Sequence, residues 1–281
     1  MSSGFDARRF KAQERAGFNR IATRYAEGAR LRTELADAVL NAAALAPGLR
    51  VLDLASGPGL LAGAAARQVA PDGWVMASDI AESMLAEGAR AHGDAASLLF
   101  AAADAERLCL PPASVDRVLA GLALFMFPHP ARALAEIHRV LAPGGLVVLS
   151  VWGERAAVPL IHCAQNAIAQ VLPPPRVARP SVFRYGEPGV LQAELAAAGF
   201  APQCTLPCRF ACRFADADSY WQAFLDLAGG VAEALARLPS SSLDALRTAV
   251  TEELQAYRAA DDEDGYLLPA TALVAVARKP D

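Results

Sequence analysis

The chain has 281 residues, a formal net charge of −4 and 54% hydrophobic residues, a length that suits one large α/β domain or two small ones. Lys11 and Lys279 are the only lysines, so no basic stretch marks a nucleic-acid backbone as partner. No apolar run approaches the roughly 20 residues of a membrane-spanning helix.

The opening "MSSGFDARRFKAQERAGF" lacks the apolar stretch of a secretory signal, and a cytoplasmic location is expected. Five cysteines, an odd number, argue against a disulfide framework. Cys204, Cys208 and Cys212 recur every four residues, which puts them on one strand face. They read as apolar packing, with a zinc or iron–sulfur site as the alternative.

Residues 7–27 and 31–46 read as two helices, the second holding Leu31, Leu35 and Val39 on one face and stopping at Pro47-Gly48. Strands and helices then alternate. "RVLDLA" and "LLAGAAARQVA" form the first pair, "WVMASD" and "AESMLAEGARA" the second, and "SLLFAAAD" a third strand. "VDRVLAGLA", the helix "PARALAEIHRVLA" and the strand "GLVVLSVW" complete the run. In "APGG", Pro143 stops a helix and the glycines turn the chain, a structural role. Apolar strands alternating with amphipathic helices predict a doubly wound parallel sheet. Its ligands belong beyond the carboxyl ends of the strands.

After Trp152 the rhythm breaks at "VLPPPRVARP". A helix in "GEPGVLQAELAAAGF" is closed by Gly199, and the strand "PQCTLPCRF" follows. Residues 217–260 are largely helical, with Pro239-Ser240-Ser241-Ser242 as break and N-cap, and "LLPATALVAVARK" is a closing strand. The expected organisation is N-terminal lid helices at 1–46 and a cofactor-binding core at 47–153. Residues 154–281 then complete the sheet, with helical insertions at about 154–187 and 216–264 as a substrate cap.

The turn "GPGLLA" fits the loose pattern G-x-G-x-x-G/A, with Asp79 about 20 residues on. Two nucleotides compete for it: a dinucleotide, whose pyrophosphate needs a helix N-terminus, and S-adenosylmethionine, which has no phosphate. Asp53, ending the first strand, repels a pyrophosphate and favours the ammonium and sulfonium of S-adenosylmethionine. Asp79 suits the two ribose hydroxyls through charge-assisted bonds. Asp104, beside the N–H groups of Ala105 and Glu106, suits an adenine edge, or else N-caps the helix after it.

Together "VLDLASGPG", "VMASDIAESML", "ADAERLCLPPASVDRVLAG" and "ALAEIHRVLAPGGLVVLSVWG" resemble the class I S-adenosylmethionine-dependent methyltransferases, in the branch similar to the ubiquinone/menaquinone biosynthesis enzymes. The resemblance covers about residues 20–152. It implies a Rossmann-like seven-stranded sheet whose last strand is antiparallel. It also implies S-adenosyl-L-methionine as cofactor, with Gly57 and Gly59 at its methionine part, Asp79 at the ribose, Met84, Asp104 and Ala105 at the adenine, and Ser56 and Ile80 among the further cofactor-binding residues. Leu122 follows the fourth strand, and Tyr25 matches a tyrosine of the lid helices in that branch. Ala55 departs from the usual first glycine, and Ser56 stands where cysteine or glycine is common.

Such an enzyme mainly orients an acceptor in line with an already activated methyl group, and a base is needed only for an acceptor that loses a proton. His129, after the fourth strand, is the candidate base, or a loop residue fixed between Pro128 and Pro130. His162 in the first insertion reaches the pocket or lies on a helix surface, His138 packs, and His92 ends a helix. Phe125, Phe127, Trp152, Phe183, Tyr185, Tyr220, Trp221 and Phe224 line an apolar, aromatic acceptor site or form the core of a cap. The expectation is methylation of oxygen, nitrogen or carbon on an apolar small molecule, without a metal, a nucleic-acid partner or a membrane span. An RNA or protein methyltransferase, a dinucleotide oxidoreductase and a non-catalytic cofactor-binding subunit stand as alternatives.

Overall fold

The computed structural model describes residues 5–174, 179–235, 238–259 and 265–281. Residues 175–178 of the proline-rich span and residues 236–237 and 260–264 of the second expected insertion therefore lie outside the described residues. The N-terminal helices are α1 (Ala7–Glu27) and α2 (Thr33–Ala42), joined by a short 3-10 turn that takes in Leu31. Asp6 caps α1 by accepting from the Arg9 N–H, which satisfies one of the orphan donors at a helix start.

The alternating elements follow in the predicted order. They are β1 (Arg50–Leu54), α3 (Leu60–Val69), β2 (Trp74–Asp79), α4 (Glu82–His92), β3 (Leu98–Ala102), β4 (Val115–Gly121), α5 (Pro130–Val140) and β5 (Leu141–Trp152). Beyond them lie α6 (Pro159–Val171), α7 (Val190–Ala197), β6 (Ala201–Phe214), α8 (Ala217–Leu227), α9 (Gly229–Leu235), α10 (Ser240–Leu254) and β7 (Tyr266–Arg278).

One sheet holds all seven strands in the order β3-β2-β1-β4-β5-β7-β6. The five strands from β3 to β5 are mutually parallel, and β7 runs antiparallel to both β5 and β6. This is the Rossmann-like α/β arrangement with an antiparallel last strand. β1 is buried from Val51 through Leu54 without alternation, as a strand covered on both faces must be. The order reverses between β1 and β4, which opens a crevice at their carboxyl ends.

β5 begins earlier than the sequence suggests. Leu141 pairs with Val115 and Leu146 with Arg117, so residues 142–145 loop out of the ladder between two paired segments. Gly144 takes a positive φ of 71° there, and "APGG" is the turn it was expected to be. α7 ends against Gly199, whose φ is 86°. α10 starts after Pro239, with no side chain capping it.

The cysteine trio lies on β6 and grades from exposed Cys204 through half-buried Cys208 to buried Cys212. Cys208 Sγ lies 4.0 Å from the Glu34 carbonyl of α2, and Cys212 Sγ 3.9 Å from the Leu31 carbonyl of the 3-10 turn before it. These two pack the sheet edge against that segment.

α1 lies across α4 and α9. A Cβ on Gly17 would stand 2.4 Å from the Gly229 carbonyl carbon, so two glycines are what let α1 and the start of α9 touch backbone to backbone. Among the described residues no helix is long and apolar enough to cross a membrane.

Candidate cofactor and acceptor site

The turn after β1 is built from left-handed backbone. Ala55 has φ 53°, Gly57 φ 54° and Gly59 φ 80°. Glycine adopts this region freely, whereas alanine does so under strain. The departure from the usual glycine at position 55 thus keeps the turn's conformation and adds strain to it. Gly59 is the N-cap of α3.

Asp79, the last residue of β2, ties this turn to the next one. Its Oδ2 accepts from the Gly57 N–H at 2.9 Å, and its Oδ1 from the Ala81 N–H at 2.8 Å. Burial pushes its carboxyl above the usual range, while the N–H groups of Ala81, Gly57 and Ile80 pull it back. Its carboxylate is therefore held in one orientation at the mouth of the crevice before any ligand arrives.

Asp53 behaves differently from what its charge suggests. It is 1% exposed, its Oδ2 accepts from the Ala62 N–H at 2.9 Å, and Oδ1 has no partner. Burial pushes it up to about 8, with nearby Asp79 adding to the rise. At neutral pH the group is largely protonated, so the expected attraction for a sulfonium is corrected. Asp53 fastens β1 to the first turn of α3 and is not in the cavity wall.

On the far side, Asp104 follows β3. Its two oxygens lie 3.0 and 2.7 Å from Lys11 Nζ, and Oδ1 also accepts from the Glu106 N–H. Lys11 reaches Glu106 as well, at 2.9 Å. After β4, Leu122 takes φ 51°, and its N–H donates to the Ser150 carbonyl at 3.0 Å. Arg184 donates to the carbonyls of Leu124 and Phe127 and so pins the loop that follows.

These elements surround a cleft open to solvent, whose space with the adjoining solvent included is about 860 Å³. Its wall brings together Tyr25, Gly57, Asp79, Ile80, Met84, Asp104, Ala105 and Leu122, all expected from the sequence. Ser56 and Gly59 shape the turn from behind: the Ser56 N–H donates to the Ser78 carbonyl, and Gly59 faces His92 and Phe100.

His129 is outside the wall. It N-caps α5 and gives its backbone N–H to Glu106 Oε1, while Phe127 and Pro128 face the cavity in its place. The loop turns at Pro128 and the helix starts at Pro130, which directs His129 into the α5 N-terminus.

Of the eight aromatics considered for an acceptor lining, Phe127 alone is in this wall. Trp221 stacks on Phe224, Phe214 meets Tyr220 edge-on, and Trp152 tilts over Phe210. They are the packing core around the sheet end and the insertions.

The sequence reading expected α1 at the site through Tyr25 alone and missed four more of its residues. Phe10, Lys11, Glu14 and Phe18 enter the wall with Tyr25. They fall on one stripe of the helix, at spacings of three and four, a pattern visible in "RRFKAQERAGF". Glu14 is 6% exposed and ion-paired to Arg179 at 2.7 Å. Burial pushes its carboxyl up against the pull of Arg179. Tyr25 meets Phe18 edge-on and lies under the Arg32 guanidinium at 3.9 Å.

The wall fits S-adenosylmethionine. Asp79 presents a backbone-fixed carboxylate of the kind that ribose hydroxyls bind, and Met84, 1% exposed, an apolar side chain of the kind that packs on a purine. Gly57 leaves room under Tyr25, whose ring a Cβ there would approach to 3.4 Å. His162 lies on α6 beside Cys163 and Glu253, away from this cavity.

Comparison with known proteins agrees with this geometry. Residues 52–149 match the family described as a methyltransferase domain. The ubiquinone/menaquinone biosynthesis C-methyltransferase UbiE of Bordetella parapertussis is 43% identical over 136 residues, 48% of this chain and 52% of the relative. That of Ralstonia pickettii is 46% identical over 108 residues, 38% of this chain and 44% of the relative. The chain thus spans about half the length of the curated relatives it matches. A crystal structure described as a putative methyltransferase from Bacillus halodurans shares the fold. Its TM-score is 0.61 at 20% identity, covering 88% of this chain and 99% of that one. Over residues 52–149 this chain is thus similar to the methyltransferase domain, the stretch that the sequence motifs had marked.

Proposed function

We propose that the protein transfers a methyl group from S-adenosylmethionine to an apolar small molecule. The observation that carries this reading is the cavity itself. Its wall carries the backbone-anchored carboxylate of Asp79 and that of Asp104 together with the apolar side chains of Phe10, Phe18, Met126 and Phe127. A wall that combines fixed carboxylates with aromatic surface suits a cofactor beside a hydrophobic acceptor.

When bound, S-adenosylmethionine supplies a methyl group already activated by its sulfonium. The chain's own work is then orientation and exclusion of water, which together supply a large share of a methyl-transfer rate. Asp79 holds the ribose through charge-assisted hydrogen bonds. Met84 and Ile80 hold the purine, with Asp104 and Ala105 at its edge, and the turn at Gly57 leaves space for the methionine part. α1 closes the chamber with Phe10, Phe18 and Tyr25. For an acceptor that must lose a proton, Glu14 is the cavity-facing group placed to hold it. Its burial raises its proton affinity toward the range useful to a base.

The relatives' named activity is C-methylation, which supports carbon as the receiving atom. The matched stretches are about half the chain or less, so the acceptor is assigned here only by the apolar chamber and the carboxylate at its side.

The test is titration with S-adenosylhomocysteine, then a screen of apolar metabolites with labelled S-adenosylmethionine. Tight binding and label transfer to a small molecule support the reading. Binding of reduced nicotinamide dinucleotide in its place, or labelling of RNA or protein alone, overturns it. With an acceptor in hand, Glu14→Gln is expected to lower kcat while leaving S-adenosylhomocysteine affinity unchanged.

A further inference from the structure

The cap contains a cluster of metal-ligating side chains that the proposed reaction does not use. His162 and Cys163 are consecutive on α6, and Glu253 is the penultimate residue of α10. One ligand atom from each lies within 4.8 Å of the others, and Cys163 Sγ is 3.9 Å from His162 Nδ1. We propose that His162, Cys163 and Glu253 form a zinc site that joins α6 to α10, with solvent in the fourth position.

Geometry comes first. Zinc bonds of roughly 2.0–2.3 Å in a tetrahedron separate ligand atoms by about 3.3–3.8 Å. The sulfur–nitrogen pair is already close to that spacing. The widest pair closes by about 1 Å through side-chain rotation alone.

The surroundings are those of an oriented ligand set. Asn166 Nδ2 donates to Glu253 Oε2 at 2.7 Å, and Gln170 Nε2 donates to Oε1 at 2.9 Å. His162, Asn166 and Gln170 are spaced by four and form one stripe of α6 facing α10. Both amides therefore fix the carboxylate against the helix that bears the thiol and the imidazole. Outer hydrogen bonds of this kind orient metal ligands in known sites.

The donor chemistry selects the ion. One thiolate, one imidazole and one carboxylate suit zinc rather than magnesium or calcium, which take oxygen ligands. A thiolate and a carboxylate also neutralise a dication, so the complex sits in a half-buried site without net charge. On binding, the S–H bond is replaced by S–Zn and the proton leaves to solvent. None of the three residues lines the cofactor cavity, so the site stands whether or not the methyl-transfer reading does.

The experiment is titration of the purified, metal-stripped chain with Zn²⁺ by calorimetry, and with Co²⁺ by absorption. The expected result is one tight equivalent, a near-ultraviolet thiolate-to-cobalt band, and a higher thermal midpoint with zinc. Cys163→Ser should abolish the band, and Cys204→Ser should leave it unchanged. Asn166→Ala should weaken binding by about 10–100-fold while the ligands remain. Absence of the cobalt band in the unmodified chain overturns the proposal, and so does a band that survives in folded Cys163→Ser. If Cys163→Ser does not fold, the unmodified chain's spectrum and Asn166→Ala decide.

Discussion

Residues 50–128 put their buried polar atoms at strand ends, whereas residues 159–254 put theirs between helices. In the first region Asp79 binds the Gly57 and Ala81 N–H groups and faces the cavity. In the second, Tyr220 Oη accepts from the Ala164 N–H at 3.0 Å and donates to the Leu160 carbonyl at 3.1 Å, joining α8 to α6. The aromatic residues follow the same division. Those of the later region are spent on one another, as Trp221 on Phe224 and Phe214 on Tyr220 show. Asp79 at its strand end thus faces the cavity, Asp53 at the neighbouring strand end ties β1 to α3, and Tyr220 between two helices holds the scaffold.

The comparison breaks most readily at Asp79. Asp79→Asn keeps the shape but loses charge-assisted bonds of about 1.5–3 kcal/mol each to the ribose, so S-adenosylhomocysteine should bind about 10–150-fold more weakly by calorimetry. An unchanged affinity would remove Asp79 from the ligand site.

Tyr220→Phe is the matching test in the cap. It leaves the Ala164 N–H and the Leu160 carbonyl without their bridge, and a loss of about 1–3 kcal/mol in urea unfolding is expected. Cofactor affinity should not move, since Tyr220 is outside the cavity wall.

Asp53 sharpens the distinction within the first region. Its folded value of about 8 stands above its ordinary 3.8. Between those values the folded state holds a proton that the unfolded state has released, so this group lowers stability progressively as pH rises from about 4 to about 8. Asp53→Asn should flatten that fall, read as a smaller drop in the unfolding midpoint between about pH 5 and about pH 8.5.

The smallest effect belongs to Lys11, which is partly exposed and spans Asp104 and Glu106. Lys11→Met should weaken S-adenosylhomocysteine by about fivefold and reduce the salt dependence of its binding, the scale of a partly screened ion pair.

Much of the cofactor half was legible because its signals are local. A strand, an acid and a glycine turn lie within a few residues of each other in "VLDLASGPG". The alternation that follows determines a parallel sheet, Asp79, Asp104 and Leu122 fall at or just beyond strand ends, and Met84 falls in the first turn of the helix after β2. Asp53 and His129 misled for the same reason. Sequence position puts both near the crevice, but burial against the Ala62 N–H took one out of the wall, and the turn into α5 took the other.

The sequence by itself determined the strand and helix order, the strand-end acids and the chemistry of the glycine turn, since each depends on neighbours within one turn of helix or one strand. Tertiary structure alone decided that the stripe of Phe10, Lys11, Glu14 and Phe18 faces the cavity, that Glu14 pairs with Arg179, and that His162 and Cys163 meet Glu253. These contacts join segments far apart in the chain. Their energy comes from burying whole helix faces together, which no short window of sequence records.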